Sequence, residues 1–350
     1  MTATLKDVAQ RAGVSIKTVS NVVHDYVHVT EEVRGRVRTA LEELNYQPNL
    51  SARYLRNGRV GVLALAIPNL NNPYFSDIGN AVIAAASVHS YTVLIDCTGG
   101  ERINELLVLD GLRPHLIDGV ILSPFALEPE DLQSRQVKTP LVLLNDHLLD
   151  IDVPYDHLAN SNVAAARLAT NHLLDLGRRR IAAIGNLEAL SIPDGAGSLR
   201  RLRGYTQALA DAGLPLDAQL IIQVASYNRI DGALAMRQLL TLNHPPDAVF
   251  CFNDLLALGA MRALHEAGCR VPDDVAVIGF DDIEEARFAI PSLSTIAPDK
   301  EKIGELAVSY LLGRIDGTRT EQPDRVEVPF RLIVRESTGG LISHTQRRIG

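Results

Sequence analysis

The side chains that could do chemistry fall into two groups. Near the start, the run Leu5-Lys-Asp-Val-Ala-Gln-Arg-Ala-Gly-Val-Ser-Ile-Lys-Thr-Val-Ser-Asn-Val-Val23 spaces its apolar residues as two short helices broken at Gly13. Ala9 is small where two helices must cross, and Val14 and Val19 fall between them. That leaves Ser15, Ile16, Lys17, Ser20 and Asn21 on the outer face. A helix of this size fits the DNA major groove and presents its N-terminal side chains to base edges. A generic helical hairpin shares the two-helix pattern; the A-x-x-x-G-V-S-x-x-T-V-S spacing is what favours DNA. The second group begins at Pro68-Asn-Leu-Asn-Asn-Pro-Tyr74-Phe75, after an apolar run. A polar loop ending in two aromatics suits stacking on a sugar or purine-like ring. The same two rings could instead begin the next helix and cap its core face.

Motifs for turnover are missing. There is no H-E-x-x-H, no G-x-S-x-G and no P-loop. Gly195-Ala-Gly197 lacks the third glycine and the preceding strand of a dinucleotide site. Cys97, Cys251 and Cys269 are scattered without C-x-x-C spacing, so they are expected to be reduced, structural thiols. No cofactor, metal or catalytic residue is expected. The beginning of the chain has no apolar signal segment and no run of about 18 uncharged apolar residues occurs, so the expected location is the cytoplasm, at the nucleoid. A periplasmic binding protein, whose fold would resemble the larger part of the chain, is disfavoured because residues 1–23 form the two-helix pattern instead.

The elements that must position these groups divide the chain in two. Of 350 residues, 46% are hydrophobic, enough for two or three domains. Residues 1–60 carry nine Lys/Arg against six Asp/Glu, so the net −8 of the whole is a +3 head on a body of −11. An ordinary fluctuation gives such an excess about as often as a phosphate-facing segment does. After the two helices, Thr30 followed by Glu31 and Glu32 reads as a helix start, and Val33, Val37, Leu41 and Leu44 continue as a third apolar stripe. Residues 48–59 are a polar connector, either a linker or a short helix. From Val60 onward, short apolar runs alternate with helical stretches: 60–67, 92–95, 119–122, 141–144, 181–184, 220–224, 248–252 and 275–280 against helices between them. About ten strands in two similar runs predict two parallel-sheet subdomains, with any ligand at the carboxyl ends of the strands.

With these motifs in view, the chain resembles the LacI/GalR family of bacterial regulators over nearly its whole length. The head carries D-V-A-x-x-A-G-V-S-x-x-T-V-S from Asp7 to Ser20, and the connector carries Asn45-Tyr46-x-Pro48-Asn49 and Ala52-x-x-Leu55. The body carries Asp118-Gly119-Val-Ile, Arg201-Leu-x-Gly-Tyr205, Phe252-Asn253-Asp254-x-x-Ala257-x-Gly259, Val277-Ile-Gly-Phe-Asp281-Asp282 and Arg335-Glu-Ser-Thr338. The resemblance implies a helix-turn-helix head (1–47), a hinge helix (48–59), an α/β body like a periplasmic binding protein (60–340) and a tail (341–350). Within the body it places 60–160 and 292–323 in one subdomain, and 161–291 and 324–340 in the other.

It also implies roles. Ile16, Lys17 and Asn21 take base-reading positions; Thr4, Ser15, Thr18, Ser20, His24 and Tyr46 meet or orient on phosphates; Asn49 belongs to the hinge. Leu55 takes the place of a leucine that wedges into the minor groove, and small Ala52 lets two hinge helices pack. In the body, Asn71, Tyr74, Phe75, Phe125, Asn145, Arg201, Tyr227, Asn253 and Asp281 fall at effector-binding positions. A guanidinium, an amide and a carboxylate meeting in one cleft suit a polyhydroxylated ligand, although Arg201, Asn253 and Asp281 could also form a structural bridge. Asn145-Asp146-His147 stands where most relatives have Asp-Arg, and Pro298 stands where some sugar-responsive members have a polar residue. Both departures argue against an ordinary hexose. The implied function is a transcription regulator, a repressor by analogy, whose affinity for near-palindromic operator DNA is controlled by a sugar, polyol or related metabolite. A homodimer is expected, because one short head reads few bases. The tail beyond Gly340 has no leucine heptads for a larger assembly.

Overall fold

The computed structural model describes residues 3–23, 26, 28–46, 59–111, 116–144, 153–187 and 196–340. The expectations placed on His24, Asn49, Ala52, Leu55, Asn145 and the 341–350 tail lie outside these residues, as does nearly all of the 48–59 hinge. The described chain forms two compact units, Met1–Gly61 and Val62–Gly350.

Among the described residues the first unit has three helices, α1 (Leu5–Ala12), α2 (Ile16–Val23) and α3 (Glu31–Glu43). Thr4 starts α1 through a capping box: its hydroxyl accepts the Asp7 N–H at 3.3 Å and its own N–H donates to the Asp7 carboxylate at 2.8 Å. The Thr4 hydroxyl also donates to the Asp7 carboxylate at 2.7 Å, and this bond, followed by the one from the Thr4 N–H, holds the Asp7 carboxyl below the usual carboxylate range. Gly13 ends α1 with φ +64, and Val14 N–H then reaches back to the Ala9 carbonyl at 3.0 Å. A Cβ on Gly13 would meet nothing within 4 Å, so it is the left-handed backbone and not crowding that favours glycine there. Ser15 caps α2 by accepting the Thr18 N–H at 3.1 Å. Thr30 occupies the N-cap of α3, but its side chain makes no cap bond; the start is marked by Glu31 and Glu32 in the first turn. Val8, Ala9, Ala12, Val19, Val22, Val37 and Ala40 make the small core, with Val14 only half-buried at its edge.

Among the described residues the second unit has twelve strands in two six-stranded sheets. The first lobe's sheet is ordered β11-β5-β4-β3-β1-β2 and consists of β1 (Val62–Ile67), β2 (Thr92–Cys97), β3 (Gly119–Leu122), β4 (Leu141–Leu144), β5 (Asp156–Asn160) and β11 (Arg325–Val328). The second lobe's sheet is ordered β12-β10-β9-β8-β6-β7 and consists of β6 (Ile181–Leu187), β7 (Ile221–Val224), β8 (Ala248–Cys251), β9 (Ala276–Phe280), β10 (Ser294–Pro298) and β12 (Phe330–Ile333). Pairing is parallel throughout except between β10 and β12. Central strands such as β3, β4, β8 and β9 are buried at every residue, which is why they read as unbroken apolar runs. Helices α4 (Pro73–Val88), α5 (Arg102–Leu109), α6 (Pro129–Gln133) and α12 (Lys300–Asp316) belong with the first lobe. Helices α7 (Asn162–Asp175), α8 (Ala196–Asp211), α9 (Arg229–Leu240), α10 (Asp254–Glu266) and α11 (Glu284–Phe288) belong with the second.

The chain crosses between lobes after Asn160, Pro298 and Val328, and these crossings correct the expected boundaries. Residues 294–296 pair with β9, in the second lobe, although the sequence places 292–323 in the first; residues 325–328 pair with β5, in the first lobe, although the sequence places 324–340 in the second. Apolar periodicity identifies a strand but not the sheet it joins. At the crossings, Asp299 N–H donates to the Pro329 carbonyl at 3.0 Å. Helix α12 then lies on α4 so closely that a Cβ on Gly304 would stand 2.6 Å from the Ala81 carbonyl carbon.

Candidate nucleic-acid interface and ligand cavity

Helix α2 divides its residues by face. Val19 and Val22 are buried in the head core, while Ser15 and Lys17 are exposed and Ile16 keeps 49% of its surface in solvent. Thr18, Ser20 and Asn21 are half-buried beside them. Positions 16, 17, 20 and 21 share one helical face, so the expected reading residues form one strip. Ile16 is thus a large apolar side chain left open beside a core of seven buried small and branched residues. Thr4 is exposed at the start of α1, and Tyr46 is half-buried against the head core. The +3 excess is not spread evenly over the head. Arg34 is buried, donating to the Tyr26 carbonyl at 3.1 Å and lying 3.5 Å from Glu31, and Arg11 pairs with Glu43 at 2.6 Å. Lys6, Lys17 and Arg36 remain exposed.

In the body a cavity of about 760 Å³ is lined from both lobes at the carboxyl ends of the strands. Its first wall grows from the loop after β1. Asn69 accepts the Asn72 N–H at 3.0 Å, and Asn72 accepts the Tyr74 N–H at 3.1 Å as the N-cap of α4, with Pro73 at the first helical position. These turns fix Asn71, Tyr74 and Phe75 on the cavity wall. Phe75 packs edge-on between Tyr74 (centroids 5.3 Å) and Phe125 (5.9 Å), so the rings both start the helix and face the cavity. Asn160, at the end of β5, donates to the Tyr74 hydroxyl at 3.0 Å. Phe125 is held by a residue that sequence reasoning missed. Glu105 on α5 is fully buried, and its two oxygens accept the N–H groups of Phe125 (2.7 Å) and Ala126 (2.9 Å). A glutamate in an amphipathic helix looks solvent-facing until the loop over it is known.

The second wall is polar and buried. Arg201 on α8 keeps 8% of its surface; it donates to Asn162 at 2.7 Å and to the Phe252 carbonyl, and its guanidinium lies 3.9 Å over the Phe280 ring. Tyr227 donates to the Gly185 carbonyl at 2.9 Å, and burial pushes its phenol up to about 12, so it stays a neutral donor. Asp281, 5% exposed, follows β9 with φ +113. Behind it Asp254 is completely buried, accepting from Thr295 at 2.6 Å and from the Ile283 N–H at 3.0 Å. Burial, and next the Asp281 charge, push the Asp254 carboxyl well above the usual carboxylate range. Asn253 is a correction: it is not on the cavity wall. Its amide oxygen caps α10 by accepting the Leu256 N–H at 2.9 Å, and its nitrogen faces the Tyr227 carbonyl at 3.4 Å. Pro298, which stands where some sugar-responsive members have a polar residue, is likewise off the wall, at the end of β10. Lining residues that the sequence did not single out include Glu101, Ser123, Asn160, Ser198, Asn228 and Arg229. They stand just after strands or at helix starts, and the strand-end rule alone could have found them.

Residues 4–49 match bacterial regulatory proteins of the lacI family, and residues 170–338 match the periplasmic binding protein-like domain. The HTH-type transcriptional repressor CytR of Escherichia coli (strain K12) is 33% identical over 341 residues, 97% of this chain and 97% of that protein. This chain belongs to the lacI family. Among solved structures, the lac repressor dimer bound to operator and the anti-inducer ONPF superposes with a TM-score of 0.77 at 29% identity, over 97% of this chain and 99% of that one. The complex of transcriptional regulator CelR with cellobiose superposes at 0.70 and 31% identity, over 96% and 99%. As a lacI-family member, the chain is a DNA-binding transcription regulator.

Proposed function

We propose that the protein is a transcriptional repressor that binds operator DNA through the α2 face and changes its operator affinity when a small polar ligand fills the cavity. The observation that carries the ligand half is Arg201. A nearly fully buried guanidinium on the cavity wall engages two acceptors of its own chain, and a guanidinium has five N–H donors, so donors remain for a ligand. With Asp281 as acceptor on the same side and the Tyr74, Phe75 and Phe125 rings opposite, the cavity suits a sugar, polyol or related ring. The complexes of relatives with ONPF and cellobiose support this reading.

Ile16, Lys17 and Asn21 are assigned to base edges, and Thr4, Ser15, Thr18, Ser20 and Tyr46 to phosphates; Asn71, Tyr74, Phe75, Phe125, Arg201, Tyr227 and Asp281 are assigned to the effector. The protein acts as a homodimer on a near-palindromic site. In support, the body leaves large apolar side chains open on both lobes, including Val88 (80%), Ile230 (71%), Phe288 (75%) and Ile290 (97%). No catalytic step is assigned to the cavity, since the relatives are regulators. No helix among the described residues is long and apolar enough to cross a membrane, in keeping with action on DNA in the cytoplasm.

The test has two parts. Selection from random duplexes with the full chain should enrich a near-palindrome, and a thermal-shift screen of sugars, polyols, nucleosides and sugar phosphates should give a stabilising compound. Failure of the compound to protect the Asp281→Ala variant is the expected result. Equal protection of that variant would remove Asp281 from the site.

A further inference from the structure

The turn that presents Asp281 to the cavity is strained, and something from the opposite lobe holds it. Asp281 and Asp282 follow one another with φ +113 and +50, two successive non-glycine residues in a region L side chains rarely adopt. Such backbone persists only where its surroundings fix it. Most of the fixing comes from the turn's own lobe. Asp281 N–H donates to the Ile296 carbonyl at 2.8 Å, Asp282 N–H to the Thr295 hydroxyl at 3.4 Å, and Arg335 grips the Asp282 carboxylate at 2.6 Å. The exception is Lys300, the first residue of α12 in the first lobe. Its ammonium donates to the Asp282 carbonyl at 3.1 Å and to the Asp77 carboxylate at 2.5 Å. Asp77 lies on α4, three residues beyond Tyr74 of the aromatic wall.

We propose that Lys300 is a coupling residue: through Asp77 and the Asp282 carbonyl it ties the strained ligand-facing turn of the second lobe to the aromatic-wall helix of the first, and so sets the spacing of the two lobes. The bland alternative is that Lys300 only stiffens α4 against α12. That pair already crosses at contact distance through Gly304 and Ala81, and the Asp77 contact alone would serve it. The bond to the Asp282 carbonyl adds nothing to that crossing and everything to a link between lobes. The Lys300 side chain keeps only 16% of its surface, so the ammonium cannot leave both partners without finding others. A ligand that engages Asp281 acts on the residue next to the tie. Ligand occupancy and lobe spacing therefore act on the same turn. The link to ligand rests on the reading of the cavity as the effector site; the tie itself does not.

The tie can be tested without a ligand. In the full chain with Cys97 and Cys269 replaced by serine, spin labels at Glu130→Cys (first lobe) and His265→Cys (second lobe) report lobe spacing, with labelled chain diluted into unlabelled chain. The parent should give one narrow distance distribution. Lys300→Met should broaden or shift it, Asp77→Asn should do so less, and both should still unfold cooperatively. If Lys300→Met does not fold, Asp77→Asn decides the matter. An unchanged distribution in the folded variants overturns the tie. Lys300→Met should also change affinity for the selected operator by at least about fivefold, the low end of allosteric coupling. Shifted distances with unchanged operator affinity would overturn its role in regulation. Shifted distances together with a normal ligand response in Asp281→Ala would sink the effector-site reading and leave the tie standing.

Discussion

The head and the cavity place their proposed recognition groups in opposite ways. On the head, the side chains proposed to read bases sit on the surface of an eight-residue helix, and its stability comes from the other face, through Val19 and Val22. In the cavity, the groups proposed to bind the ligand are themselves buried: Arg201 and Asp281 hold 8% and 5% of their surface and are knitted into the lobe. Reading can therefore be changed in the head without harming the fold, whereas recognition in the cavity is part of the fold. An exposed position answers to its partner alone, and a buried polar position answers also to the groups it would leave unpaired.

The largest effect expected from this contrast is in the cavity. Arg201→Ala removes the donors to the Asn162 oxygen and the Phe252 carbonyl and the cation over Phe280, so it should destabilise the body by about 3 kcal/mol and abolish ligand protection. Denaturant titration of the full chain checks this; a loss of less than about 1 kcal/mol would break the contrast. In the head, Lys17→Ala or Asn21→Ala should change discrimination at one base position by about 1–3 kcal/mol while stability moves by less than about 0.5 kcal/mol. Repeating the duplex selection with each variant reads the first quantity and thermal melting the second. An unchanged preferred sequence would remove that residue from base reading. Gly13→Ala sharpens the comparison from the other side, because it strains the turn without touching the reading strip. At φ +64 it should cost about 1–2 kcal/mol of head stability and leave the preferred sequence unaltered.

The last effect is confined to alkali. The Tyr227 phenol is raised from 10.0 to about 12 in the folded protein, so between those values the folded state holds a proton that the unfolded state has released. Stability from this group is complete below pH 10 and is lost as pH rises toward 12. Tyr227→Phe should flatten that part of a stability-against-pH curve, and an unchanged slope would show that the phenol is not buried as described.

The same contrast explains what could be read from the sequence. Exposed and buried faces of α1 and α2 follow from helical spacing, and the uniformly apolar strands β1, β3, β4 and β8 were legible as apolar runs. Strand β5 was not, because Asp-His-Leu-Ala-Asn looks like a loop; its Asp156 and His157 are nevertheless 1% and 0% exposed. The crossings at Pro298 and Val328 depend on which sheet edge is open, which no local pattern records. In the cavity, residues named by resemblance to relatives reached the wall at Asn71, Tyr74, Phe75, Phe125, Arg201, Tyr227 and Asp281. Asn253 did not, since the helix start at Asp254 required its amide as a cap. Glu105 and Lys300 went unread because their partners are 20 residues and 223 residues away along the chain.

The most direct measurement is the affinity of the full chain for its selected operator, with and without the compound that most raises its melting temperature. The expected result is a change of about 5- to 150-fold, lost in Asp281→Ala although that variant still binds the operator when no compound is present. A compound that binds the cavity and leaves operator affinity untouched, or a full response in Asp281→Ala, would contradict the account.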